Sequence, residues 1–181
     1  DYSNPPSAPD KAMITSYDTA LNINWQRIYF NVSSFFRTVQ ITPEGHFLVL
    51  GETGNIGNGL IDILLMKLDT LGNEIWRQTY GGVADDGAMS LRILADGNYL
   101  IGGFHEYTNV PDMDGWLIKT DTAGNVLWEN YLESPGADYG IHIFAENYFY
   151  QAKDTFYTYP GGPSYLISYF GAFNNLGEVI W

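Results

Sequence analysis

The chain has 181 residues, 45% hydrophobic and 16% charged, which is enough apolar material for a buried core and excludes global disorder. Eight Lys and Arg against 21 Asp and Glu leave a net charge of −13, a balance that argues against nucleic acid and anionic membrane surfaces, because phosphate binding runs on basic side chains. With no cysteine, disulfides, thiol nucleophiles and Cys-based zinc or iron–sulfur sites are excluded together. Residues 1–11 open the chain with Pro5, Pro6 and Pro9 and read as an extended linker. A Pro/Ser-rich leader of this kind suits a secreted protein, or a lipoprotein anchored upstream of residue 1.

From there the chain repeats. Four of its five tryptophans stand at 25, 76, 128 and 181, spaced 51, 52 and 53 residues apart. Seven residues before each stands Asp18, Asp69, Asp121 or Asn174. Four residues before the last three stand Gly72, Gly124 and Gly177, with Leu21 in the first copy. Between these landmarks the predicted strands follow in order. Residues 63–68 are mostly apolar and end at an Asp-Thr-Leu-Gly-Asn turn, and 74–80 alternate until Gly81-Gly82. Residues 88–94 alternate again up to the Ala-Asp-Gly-Asn turn at 95–98, and 99–104 are mostly apolar. Period-2 alternation punctuated by Gly-containing turns every ten or so residues predicts an antiparallel meander, and no window carries a helical apolar stripe. A unit of about 50 residues with four antiparallel strands is the blade of a β-propeller, so the fold class is all-β.

The pattern Asp-x-x-Gly-Asn-x-x-Trp, then Tyr-Gly-Gly, then Asp-Gly-Asn-Tyr-x-x-x-Gly is carried here by Asp69–Trp76, Tyr80–Gly82 and Asp96–Gly103. It resembles the Bacteroidota-type secreted or cell-surface propeller repeats, akin to kelch-like and quinoprotein-like blades. The resemblance covers residues 12–181, with its best copies at Asp62–Phe104 and Asp114–Tyr150. The first copy lacks the turn glycine, and in the third the Gly102-Gly103 pair becomes Gln151-Ala152. It implies about three and a third blades, breaking off in mid-blade at Trp181. An open propeller leaves unpaired edges, so the remainder of a longer polypeptide or a partner subunit is expected to complete it.

The repeated tryptophans read as structural, each indole filling the wedge between neighbouring blades. Asp18, Asp69 and Asp121 read as Asx residues whose carboxylates accept turn N–H groups. A second reading attaches to Asp18-Thr19-Ala20, Asp69-Thr70-Leu71 and Asp121-Thr122-Ala123. Each matches the short Asp-Thr-aliphatic acceptor pattern of Bacteroidota O-glycosylation, which makes Thr19, Thr70 and Thr122 glycosylation candidates. Asp86 and Asp138, both ten residues after a tryptophan, read as hydrogen-bonding starts of a strand. Asp112 and Asp114 look like the opening of a calcium loop, but the later bidentate Glu is missing and Asp114 aligns with Asp62, which favours a turn role. His46, His105 and His142 fall on different strands, so a zinc site is not expected.

No nucleophile elbow and no phosphate-cradling loop before a helix occurs, so no catalytic residue and no cofactor is assigned. From Tyr148 to Phe173 the chain is rich in aromatics. Phe156, Tyr157 and Tyr159 among them stand between Pro and Gly turn residues of loop 154–163 and read either as a partner-binding patch or as cover for the blade's outer edge. Two function classes follow. The favoured one is a noncatalytic secreted or cell-surface module binding protein or glycan through its loop face. The alternative is a propeller enzyme, a quinoprotein-like dehydrogenase or a polysaccharide-cleaving enzyme.

Overall fold

The computed structural model describes residues 12–30, 34–54, 56–107, 113–132, 138–145, 148–155, 165–174 and 176–180, with backbone alone at 138–139, 148, 150–155 and 165–170. Every regular element among the described residues is a β-strand. The strands are β1 (Ala12–Tyr17), β2 (Ile23–Phe30), β3 (Ser34–Ile41), β4 (Phe47–Thr53), β5 (Asp62–Leu68), β6 (Glu74–Tyr80), β7 (Asp86–Ile93), β8 (Tyr99–Glu106), β9 (Met113–Thr120), β10 (Val126–Leu132), β11 (Asp138–Ala145), β12 (Tyr148–Thr155) and β13 (Tyr165–Ala172). They form antiparallel meanders in chain order: a two-stranded sheet β1–β2, four-stranded sheets β3–β6 and β7–β10, and a three-stranded sheet β11–β13. Beyond β13 the chain turns back, with Phe173 bridged to Val179 and the Ile180 N–H donating to Ala172 O at 2.9 Å. The chain is thus all-β, and its two four-stranded antiparallel sheets, β3–β6 and β7–β10, have the organisation of propeller blades.

The sheet boundary falls between β6 and β7. The unit at 63–104 therefore straddles two sheets: its first two strands close one and its last two open the next. This explains why the middle strands are nearly continuous apolar runs. β4, β5, β8 and β9 lie second or third in their sheets, between neighbouring sheets, and are buried on both faces: Leu48, Leu50, Leu64, Leu65, Leu100, Ile101, Leu117 and Ile118 are all inaccessible. Leu48, Leu50, Ile63 and Leu65 of one sheet interdigitate with Leu91, Tyr99, Ile101 and Trp116 of the next. Leu100 and Leu117 meet Ile141 and Ile143 in the same manner. The innermost strands are also tied sideways. Gln40 donates to Leu91 O and accepts from the Ile93 N–H, while Ser90 does the same with Ile141 O and the Ile143 N–H.

A second set of ties runs along the outer strands. Trp25, Trp76 and Trp128 each occupy the third position of β2, β6 and β10. Each indole lies on the turn glycine of the following sheet: a Cβ on Gly72 would come within 2.8 Å of Trp25, one on Gly124 within 3.0 Å of Trp76, and one on Gly177 within 2.6 Å of Trp128. Beside each ring a side chain donates to that glycine's carbonyl, Tyr29 to Gly72 O and Tyr80 to Gly124 O at 2.7 Å each, and Asn130 to Gly177 O. These glycines are left-handed, at φ +76°, +83° and +82°. Leu21 adopts φ 65° at the same turn position and is 79% exposed, with no tryptophan upon it among the described residues. Trp181 lies outside the described residues.

Candidate functional site

Two regions carry polar or exposed apolar chemistry beyond what a blade needs. The first is the end of the sheets where the loops β4–β5 and β6–β7 meet. Asp62 opens β5 and Asp86 opens β7, and their side chains converge on the joint between the two four-stranded sheets. Asp62 Oδ2 accepts the Gly59 N–H at 3.1 Å, and Asp86 Oδ2 accepts the Gly82 N–H at 2.6 Å. Asp86 Oδ1 is paired with His105 Nδ1, from the facing strand β8. The His105 ring is enclosed by Tyr107, Trp116 and Tyr131 at centroid distances of 4.8, 5.4 and 5.3 Å, and Trp116 and Tyr131 stack on one another.

Burial pushes the Asp62 carboxyl above its ordinary range, against the N–H groups of Gly59 and Asn58. Burial does the same to Asp86, reinforced by the nearby charge of Asp62 and opposed by Gly82 and His105. The Tyr131 hydroxyl is pushed up to about 12, first by burial and then by Glu129, Tyr107 and Asp86. The register repeats in each sheet: Ser34 faces Thr53 with a 2.9 Å hydroxyl–hydroxyl bond, Asp86 faces His105, and Asp138 faces Lys153. The same register position thus holds Ser and Thr, then Asp and His, then Asp and Lys.

The second region is the face of β3 turned toward the two-stranded sheet. Val39 and Ile41, in register with Val49 and Phe47 of β4, are 56% and 68% exposed. One period of 52 residues on, Val39 corresponds to Leu91 and then to Ile143, which are 3% and 4% exposed beneath the preceding sheet. By their tryptophan-bearing outer strand, β1 and β2 are the third and fourth strands of a blade. Among the described residues no strand pairs with the free edge of β1. On the outer side, between β2 and β6, a shallow cleft of about 470 Å³ is lined by Gln26, Arg27, Tyr29, Asn73, Glu74 and Arg77. Its arginines are engaged within the fold, Arg27 Nε with Leu71 O at 3.1 Å and Arg77 with Glu74 and over the Phe30 ring.

The remaining sequence candidates separate. Asp18, Asp69 and Asp121 each accept two turn N–H groups through Oδ1 and the side-chain amide of Asn22, Asn73 or Asn125 through Oδ2. Those bonds, led by the asparagine side chain, hold the three carboxyls below their ordinary value. Thr19, Thr70 and Thr122 sit exposed on these same turns. Asp114 is buried near the start of β9, in register with His105, whereas Asp112 lies outside the described residues. No group of three metal-ligating side chains occurs among the described residues. Phe156, Tyr157 and Tyr159 also lie outside the described residues. The Asp62–Asp86–His105 grouping escaped the sequence reading, which took His105 as scattered and Asp62 as a turn residue. The available signal was the 52-residue register that stacks Asp86 on Ser34 and His105 on Thr53.

No family model matches the chain. It is similar to an uncharacterized WD repeat-containing protein, L264, of Acanthamoeba polyphaga mimivirus, at 22% identity over 122 residues. The match takes in 59% of this chain and 9% of that protein's length. The likeness to a repeat-built protein agrees with the four-stranded sheets.

Proposed function

We propose that this chain is a noncatalytic propeller module that binds a protein segment in β conformation, which adds to the free edge of β1 and covers the apolar row of β3. The observation that carries this reading is the contrast between Val39, which is 56% exposed, and its equivalents Leu91 and Ile143, which are covered. An edge strand with unpaired N–H and C=O groups beside an uncovered apolar row is the surface that strand addition uses, the backbone supplying affinity and the alternate side chains specificity. Internal equivalence gives the chemistry of the partner: two antiparallel strands, the one next to β1 as apolar as β4 or β8. It comes either from the same polypeptide or from a partner subunit. The likeness to a WD repeat-containing protein supports an architecture suited to protein contacts. The Pro/Ser-rich residues 1–11 and the exposed Thr19, Thr70 and Thr122 support a secreted or cell-surface setting, with these threonines open to glycosylation.

The test uses a synthetic hairpin of residues 86–106, the internal counterpart of the two strands that β1 lacks. Calorimetric titration into the chain should show saturable binding, weakened at least tenfold by Val39→Asp or Ile41→Asp. Absence of binding, or binding indifferent to both substitutions, would refute the reading.

A further inference from the structure

The two carboxylates at the joint between the four-stranded sheets have a property that partner binding does not use. Asp62 is 1% exposed and Asp86 is inaccessible. Asp62 Oδ1 is buried without a hydrogen-bond partner. A Cβ on Gly81 would lie 2.0 Å from Asp62 Oδ1 and 2.6 Å from Asp86 Oδ2, so the two oxygens flank one glycine and are no farther apart than the sum of these distances. The surrounding groups offer one basic partner. His105 of β8 pairs with Asp86, while Asp85 from the β6–β7 loop, Asp114 of β9, Tyr107 and Tyr131 bring acidic or phenolic groups to the same corner. On β4, Glu52 is engaged by Arg37 and by the Ala88 N–H. None of the Lys or Arg ion pairs among the described residues involves Asp62 or Asp86.

Two buried carboxylates so placed strongly disfavour carrying both charges, and an acceptor without a donor is costly in itself. One proton answers both demands. We propose that Asp62 is protonated in the folded chain and donates through Oδ1 to Asp86 Oδ2, and that this proton makes the joint between the β3–β6 and β7–β10 sheets pH-sensitive. Asp86 then accepts from three sides, from Asp62, Gly82 and His105. As pH rises the proton passes to water, and two charges remain in a corner closed by residues 56–61 and 81–85. The folded chain holds a proton that the unfolded chain has released, so this contribution to stability is full only below the unfolded-state value of about 3.9 and is lost as pH rises from there through the folded-state titration. The upward push that burial exerts on both carboxyls has the same sign.

Thermal unfolding between pH 5 and 8 tests this with Asp62→Asn, whose amide keeps a donor toward Asp86 and does not ionise. The wild-type midpoint should fall by roughly 3–5 °C per pH unit from pH 5 up to the pH at which the folded chain releases the proton, and level off above it, relative to the variant, and the variant should be the more stable at pH 8. Parallel midpoint–pH curves would overturn the proposal. Infrared spectra of the wild type give a second readout that needs no variant. The carbonyl stretch of a protonated carboxylic acid should be present at pH 6 and fade with rising pH, and its absence at pH 6 would overturn the proposal equally.

Discussion

Replacing Gly124 by alanine sets two costs against each other. At φ +83° a residue with a Cβ loses about 1–2 kcal/mol relative to glycine. The new Cβ would also lie 2.7 Å from Gln78 Cγ and 3.0 Å from Trp76 Cζ3, atoms of the preceding sheet. Relieving that overlap by moving a packed indole costs a further 1–3 kcal/mol or so. Gly97 is the internal control. It has φ +84°, the same turn hydrogen bond from its N–H to the carbonyl three residues back, and nothing within 4 Å of a Cβ. Gly97→Ala should therefore lose about 1–2 kcal/mol and Gly124→Ala about 2–5 kcal/mol, each kcal/mol lowering Tm by about 2–4 °C at this chain length. Urea unfolding followed by tryptophan emission and far-ultraviolet circular dichroism measures both. Equal losses at the two positions would refute the claim that the neighbouring tryptophan, and not only the turn, demands glycine.

Tyr80→Phe removes the donor to Gly124 O in a buried setting and should lower stability by about 1–3 kcal/mol, read as a shift of the urea midpoint at constant slope; an unchanged midpoint would show that the bond is replaced at no cost. On the acid side, Asp69 and Asp121 are held below 3.8 by Asn73 and Asn125, so their contribution is present above the unfolded value and lost as pH falls through the folded one. Asp121→Asn should keep the backbone bonds, as Asn174 does with the N–H groups of Leu176 and Glu178, and should reduce the loss of stability between roughly pH 4 and pH 2. An unaltered acid limb in circular dichroism would contradict it.

The tryptophan phase, the Asp and Gly of each turn and the alternation of residues 74–80 and 88–94 are local signals. They prescribed four strands per period and no helix because turn geometry and pleat act over a few residues. Of the aromatic loop 154–163, singled out by its composition, Asp154 and Thr155 belong to the end of β12, and 156–163 lie outside the described residues. The sequence did not show where one sheet ends and the next begins, since a sheet boundary leaves no mark that a longer turn would not leave as well. Nor did it join Asp62 to His105, 43 residues away, because proximity of strand ends in neighbouring sheets comes from stacking and not from spacing.

By itself, then, the sequence determined the period, the turns and the antiparallel meander, all set by backbone conformation and side-chain alternation. Tertiary structure alone decided which apolar rows are covered. Val39 and Leu91 are the same kind of residue at the same point of the repeat, yet one is exposed and the other buried, because burial depends on the sheet lying opposite. It also decided that Gly72 and Gly124 must be glycine where Leu21 need not be, because the tryptophan upon each comes from the preceding sheet.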